Sequence, residues 1–347
     1  MKLYTPPVFQ GTLRKKRYFE GWYLKHVTAD GSDSLALIPG ISLSGGAAGL
    51  GGSGKAGFGR DLGDSTSFIQ VIHGAEGKTW WLDYPAAEFS FSRRTFDIGV
   101  GGSRFSLGGS RIAARREGIT IEGEVRYSGP VEYPVSVFSP GIMGPYRFVP
   151  FMECYHGVVS ADHLLEGGIF LNGRTIDFTG GRGYIEKDWG TSFPEAWIWT
   201  QCNTFARNEG ASFMFSLAKI PWMGRHFLGF LCFLYENGTF HRFTTYTKAE
   251  LSRIDYDGSR LSVHIRGGRG EEGGELVFEA VKKRFGSLKA PDLGAMSRTI
   301  KESVDSDISV RLTGPGGTVL FEDTGSRAGL EVIEEIFEYL PGLPPDE

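Results

Sequence analysis

Residues 182–203 read RGYIEKDWGTSFPEAWIWTQCN, and the periodicity of this stretch decides the fold. On a strand, side chains alternate between two faces. Tyr184, Glu186 and Asp188 then share one face, and Ile185, Lys187 and Trp189 the other. Gly190 and Pro194 supply a turn, after which the chain is extended again. Trp197, Trp199, Gln201 and Asn203 fall on one face of this second strand, with Ile198, Thr200 and Cys202 opposite. Two indoles and two amides lined up behind a strand with two carboxylates are the makings of an apolar pocket with a few placed polar groups. The competing reading is plain structure, with indoles in a core and Glu186 held in an ion pair with Lys187 or Arg182.

Outward from this stretch the pattern is strand after strand. RYFEGWYLKHVT at 17–28 turns through Asp30-Gly31 into LALIPGISL, and short β segments follow from Ser67 to Tyr127. Asn172-Gly173, Asn237-Gly238 and Asp257-Gly258 are hairpin signals in the second half. The 51 glycines are roughly twice the usual share and have no period, as a chain of many turns requires. Close spacing of short strands predicts antiparallel β structure, barrel or sandwich, in two consecutive domains at 1–190 and 191–347. Residues 129–150, with Pro130, Pro134, Pro140, Pro145 and Pro150, read as a long connection across one end of a sheet. Residues 44–66 are Gly-rich but lack the Gly-Lys-Ser/Thr ending of a phosphate loop, which leaves a flap or disorder. In GLEVIEEIFEYLPG the spacing of Leu330, Ile333, Phe337 and Leu340 predicts a short C-terminal helix, with Glu331, Glu334, Glu335 and Glu338 facing water.

Composition narrows the function. A net charge of −4 without a long basic run argues against a nucleic-acid surface. Cys154, Cys202 and Cys232 make an odd count with no CxxC, so a reducing, cytoplasmic setting is expected. No signal-type segment or 18-residue apolar run is present in the sequence, so no membrane-spanning helix is expected. The histidines, His73, His156 and His163 among them, are dispersed. Glu153 and His156 fall on opposite strand faces, so no metal site is expected. No nucleophile elbow or dinucleotide fingerprint occurs, and no cofactor is expected.

What remains is carboxylates beside aromatics: Glu20 before Trp22 and Tyr23, Glu153 before Tyr155 and His156, Glu186 and Asp188 before Trp197 and Trp199. A carboxyl group in an apolar pocket keeps its proton at neutral pH, aromatic faces stabilise a cation, and a dry cavity protects that cation from water. Protonation of an alkene followed by ring closure needs all three.

FEGWY at 19–23, YIEKDWG at 184–190, FP at 193–194 with WIWTQCN at 197–203, and LKAP at 288–291 resemble the tocopherol cyclase family along nearly the whole chain. The family is similar, more distantly, to lipocalin-like carotenoid hydratases and fungal cyclases built from two β-barrel domains. The resemblance implies a chromanol-forming ring closure in which a prenyl double bond is protonated and a phenol oxygen captures the cation, without metal or redox cofactor. Glu186 is then the expected acid, tuned by Asp188 or Lys187. Trp22, Tyr23, Trp197, Trp199 and Gln201 are expected around one pocket, with Glu20, Tyr155, His156, Tyr184 and Asn203 as further substrate contacts. Plant members carry Asn at the position of Asp188, so a Glu186–Asp188 dyad is not shared family machinery. No plastid-type transit segment is expected, and the substrate is open between a prenylated aromatic and a polyene. The expected partner is a hydrophobic small molecule, collected by transient contact with a membrane surface. A non-catalytic prenyl-lipid carrier and a hydratase are the alternatives.

Overall fold

A computed structural model describes residues 2–44, 65–268 and 274–340. Every strand pairing among them is antiparallel. Two sheets result, of 12 and 10 strands, the first built from strands between Tyr18 and Gly190 and the second from strands between Trp197 and Val332. In the first, Tyr18–Val27 lies between Ser34–Leu43 and Arg182–Gly190, and the latter pairs on its far side with Cys154–Leu171. In the second, Trp197–Cys202 lies between Ser212–Trp222 and Val319–Val332, and Val319–Val332 pairs with Ala295–Thr313. The Gly-rich stretch read as a flap or disorder lies, at 45–64, outside the described residues.

Alternation sorts the apolar side chains into three clusters. One face of the first sheet packs Trp22, Leu24, Ile185 and Trp189 into a core of its own. One face of the second packs Ile198, Cys202, Phe213 and Leu330 likewise. The opposite faces meet each other, and there Tyr23 and Tyr184 pack with Trp197, Trp199, Met214 and Phe233. The strands nearest this junction are therefore buried on both faces, and nearly every residue of 182–190 and 197–202 is buried, Glu186 and Lys187 included.

The hairpin signals fold as their chemistry dictates. Asn172-Gly173 and Asn237-Gly238 have positive φ at both residues (47° and 94°, 46° and 84°), the two-residue turn whose twist matches the flanking strands. Met223-Gly224 makes the same turn without a sequence signal (48° and 77°), held by the long Ser212–Trp222 and Arg225–Glu236 pairing. At Gly190 a Cβ would stand 2.1 Å from the Glu153 carbonyl oxygen, so only glycine lets the strand end this close to its neighbour.

One expectation needs correction and another is extended. The C-terminal segment is not an α-helix: Leu330 and Glu331 belong to strand Val319–Val332, and only Glu334–Tyr339 winds, as a 3₁₀ turn. The pairing partners Glu302 and Ser303 hold the strand straight through Glu331, overriding the helical spacing. Ile336 is nevertheless buried against the second core, and Phe337 stacks on Tyr256 at 5.5 Å. Residues 129–150 do more than cross one end of a sheet. Tyr133 packs on Phe233 and Phe240, and Tyr246 donates to the Ile142 carbonyl at 2.8 Å, so the segment ties the two sheets together.

Candidate active site

The junction between the sheets opens into an apolar pocket. Phe19, Gly21 and Tyr23 enter it from one strand, Glu186 and Asp188 from the next, and Cys154 and His156 from the third. The second sheet contributes Trp197, Trp199, Glu302 and Glu331, and Met143 and Tyr146 of the proline-rich segment cover one side.

Glu186 lies at the centre and is 4 % exposed. Its Oε2 accepts the Tyr184 hydroxyl at 2.6 Å and the Trp199 indole N–H at 3.3 Å. His156 Nε2 stands 3.5 Å away, an ion-pair distance without hydrogen-bond geometry, and Nδ1 of the same ring contacts Asp188 Oδ1 at 2.9 Å. Burial raises the Glu186 pKa to about 7; His156 pulls it down, Asp188 pushes it up, and the Tyr184 and Trp199 donors pull it down again. Burial alone would lower the His156 pKa, but the carboxylates of Asp188 and Glu186 outweigh it and raise it to about 9. Asp188, His156 and Glu186 thus form a row in which an imidazolium sits between two carboxyl groups.

A second pair of carboxyls faces this row. Glu302 and Glu331 are register partners on neighbouring strands and both are buried. The Trp197 indole N–H donates to Glu331 Oε2 at 2.5 Å. Burial, then the like charge of Glu331, push the Glu302 carboxyl well above the usual carboxylate range. Burial also raises Glu331.

Of the residues singled out from sequence, Glu186, Asp188, His156, Tyr23, Trp197 and Trp199 come together in this pocket, with Tyr184 directly beneath Glu186. The others do not. Lys187 and Glu20 face the first sheet's own core, paired with each other; Lys187 also donates to the Val8 carbonyl at 2.8 Å. Lys187 therefore does not touch Glu186, and the ion pair considered between them is absent. Arg182 pairs with Asp162 instead, so the other ion pair considered for Glu186 is absent too. Trp22 occupies the same core, stacked on Phe96, because neighbours on a strand cannot both face the pocket and Tyr23 does. Tyr155 likewise stacks on Trp189 and donates to the Val149 carbonyl at 2.8 Å. Gln201 and Asn203 share the face of Trp197 and Trp199 but lie beyond the pocket. There Gln201 accepts from Lys25 at 2.8 Å, and Asn203 donates to Asp162 at 3.1 Å and to the Gly183 carbonyl at 2.9 Å.

Reading along one strand also misses donors that meet across strands. His156 and Asp188 are register partners, and with Glu186 they offer ligand atoms within 4.8 Å of one another. Among the described residues this trio is the group that could hold a metal ion. Cys154 also lines the pocket, but burial and then Asp188 push its thiol well up, as suits an inert sulfur. Glu302 and Glu331 were not legible as site residues, though Glu302 did carry a signal: it shares a strand face with Ile300 and Val304. Reading 330–340 as a helix sent Glu331 into water.

Residues 134–333, more than half of the 347, match the family described as tocopherol cyclase-like. A probable chloroplastic tocopherol cyclase of Oryza sativa subsp. japonica is 29% identical over 198 residues, covering 53% of this chain and 40% of that protein. The chloroplastic tocopherol cyclase of Zea mays is 28% identical over 225 residues, 57% of this chain and 46% of the relative. The matched region thus spans less than half the length of either plant protein. Among solved structures, a putative AttH from Nitrosomonas europaea superposes with a TM-score of 0.51 at 14% identity, covering 94% of this chain and 98% of that one. CghA bound to Sch210972 superposes with a TM-score of 0.55 at 11% identity, covering 91% and 88%. At such identities these two speak for the fold: two lipocalin-like β units in one chain.

Proposed function

The chain belongs to the tocopherol cyclase-like family, and from that premise we propose that it closes a ring on a prenylated aromatic alcohol by acid catalysis. The observation that carries the reading is Glu186: a carboxyl group buried in an aromatic pocket, with hydroxyl and indole donors on one oxygen and an imidazole beside it. A carboxyl poised near pH 7 holds its proton in the resting site and can release it. Tyr184 and Trp199 then stabilise the carboxylate left behind, as fixed donors do for any developing anion. His156, held by Asp188, adds a positive charge on the same side.

The steps balance without an added reagent. The Glu186 proton moves to one carbon of the prenyl double bond, and the other becomes a tertiary cation. The faces of Tyr23, Phe193, Trp197 and Trp199 shelter that cation. The phenol oxygen forms the new C–O bond, its proton is released to the site, and substrate and product are isomers. A carrier would bind the same lipid without needing carboxyl groups turned into the pocket. The substrate would be collected from a membrane surface: Phe151, 99 % exposed, directly precedes the pocket-lining Met152.

Incubation with prenylated hydroquinones, read by mass and by loss of the free phenol, tests the proposal. Ring closure leaves the mass unchanged and consumes a phenol, whereas hydration adds one water. Recovery of every substrate unaltered would refute catalysis.

A further inference from the structure

Two polar atoms at the pocket wall lack a well-made hydrogen bond. Tyr23 is 8 % exposed and Glu302 1 %, both line the pocket, and although each side chain feels the other, neither Tyr23 Oη nor Glu302 Oε1 completes a hydrogen bond of normal geometry. Buried polar groups without partners are rare, and leaving one so is costly. The costs here fall side by side: Tyr23 is the register partner of Glu186, and its ring packs edge-on against Trp199 at 5.3 Å. Glu302 in turn sits opposite Glu331, which is anchored by the Trp197 indole. The donor and the acceptor face the same cavity as the candidate acid.

We propose that Tyr23 and Glu302, backed by Glu331, are the binding site for the aromatic hydroxyl of the substrate, beside the Glu186 that delivers the proton. The inference rests on the acid-catalysed ring closure proposed above and adds where the reacting oxygen sits. A phenol fits because it has one O–H and a lone pair. Its O–H donates to Glu302 Oε1, and its oxygen accepts from the Tyr23 hydroxyl. A ketone could not donate and an ether could not donate, so each would leave Glu302 unpaired.

The placement also gives the phenolic proton a destination. As the oxygen lone pair forms the C–O bond, the O–H bond breaks and its proton passes to the Glu302–Glu331 pair. Two buried carboxyls facing each other hold one proton readily and can take a second. Glu186 has meanwhile given one proton to the alkene carbon. One proton returned from the pair to Glu186 after product leaves restores the resting state, with nothing gained or lost. The groups acting on the pair are Tyr23, Trp197, Glu186 and Asp188, and the buried Lys25 amine, lowered to about 8 by burial, feels the charge of Glu302 in turn.

The test is binding without turnover. A hydroquinone with a saturated alkyl chain cannot be cyclised, and its dimethyl ether differs only in the hydroxyls. Titration followed by tryptophan fluorescence should show the free hydroquinone bound about tenfold more tightly than the ether, the size of one well-made hydrogen bond. Tyr23→Phe and Glu302→Gln, each checked for an unchanged melting transition, should lose most of that preference while keeping the affinity for the ether. Glu302→Gln retains the shape, and Tyr23→Phe provides a second, independent route should the first variant fold poorly. A wild-type protein without the preference, or a preference surviving in both variants, would overturn the site. The function is read separately: preference present with no cyclisation of the unsaturated hydroquinone sinks the cyclase reading and leaves the subsite standing, and cyclisation with no preference does the reverse.

Discussion

Glu186→Gln separates chemistry from architecture, because the amide keeps the shape and accepts from Tyr184 and Trp199 but has no acidic proton to give. Burial moves the carboxyl from 4.5 to about 7. At 1.36 kcal/mol per unit the ionised form is disfavoured in the folded state by about 3 kcal/mol. Between these two values the folded protein binds more protons than the unfolded chain, so stability falls as pH rises through the window. Below pH 4.5 the penalty vanishes, and above pH 7 it is complete. Glutamine escapes it. The variant should therefore be more stable than the parent at pH 8, by up to about 3 kcal/mol, and equal to it at pH 4. Its turnover of a prenylated hydroquinone should fall by about 10²–10⁴. In the parent, turnover should decline as pH rises past about 7, since only the neutral acid can donate. The midpoint belongs to the group, because Glu302 and Glu331 sense the charge on Glu186. Urea titrations at both pH values and a pH–rate profile check all three outcomes. A folded Gln variant with parental turnover, or one destabilised at pH 8, would refute the assignment of Glu186 as an acid held neutral by burial.

Three further outcomes follow from side chains around the site. Lys187→Met leaves Glu20 buried without its cation and should cost about 3–5 kcal/mol in urea denaturation, with turnover per folded molecule kept. At Gly329 a Cβ would stand 2.6 Å from the Trp199 ring and 3.5 Å from Tyr23 Oη, so Gly329→Ala should lower kcat/KM at least tenfold and blue-shift the tryptophan emission. His26 is buried between the Leu35 carbonyl and the Tyr127 hydroxyl, and burial lowers its pKa from 6.5 to about 4. The unfolded chain binds the extra proton in that window, so stability drops as pH falls from 6.5 to 4, by about 3 kcal/mol, and His26→Gln should flatten this limb in denaturation series at pH 7 and pH 4.

Much of this arrangement is legible in the sequence, for a reason that also marks where legibility ends. Alternation along a strand is local, so residues 182–203 already separate Glu186 and Asp188 from Lys187, and Trp197 and Trp199 from Ile198. Applied with equal strictness to FEGWY, the same rule would have parted Trp22 from Tyr23, which it does in the fold. Partners brought from a distance follow no such rule. His156 reaches Asp188 only through the pairing of Cys154–Leu171 with Arg182–Gly190, and that register contains two irregularities, at Val158/Ser160 and Ser160/His163. Glu331 was hidden by a genuine ambiguity. Leu330, Ile333, Phe337 and Leu340 fit a helix, and only the pairing of Glu331 with Glu302 decides for a strand.

The strand Arg182–Gly190 carries the contrast on which the functional reading turns, because its two faces treat carboxyl groups in opposite ways. On one face Lys187 meets Glu20, whose oxygens also accept the Gln10 N–H at 2.8 and 2.9 Å, the Gly11 N–H at 3.0 Å and the Tyr18 hydroxyl. That carboxylate is neutralised and saturated with donors, so it has nothing left to offer a ligand. One residue earlier, on the other face, Glu186 has no lysine or arginine partner among the described residues, one oxygen held by two donors, and an aromatic cavity in front of it. Burial is nearly complete in both cases, so burial alone cannot separate a structural acid from a chemical one. The difference is how many fixed donors and cations the fold supplies. Glu20 has a lysine and donors on both oxygens, whereas at Glu186 the supply stops short, which is the condition for a carboxyl group that can keep a proton and then give it away.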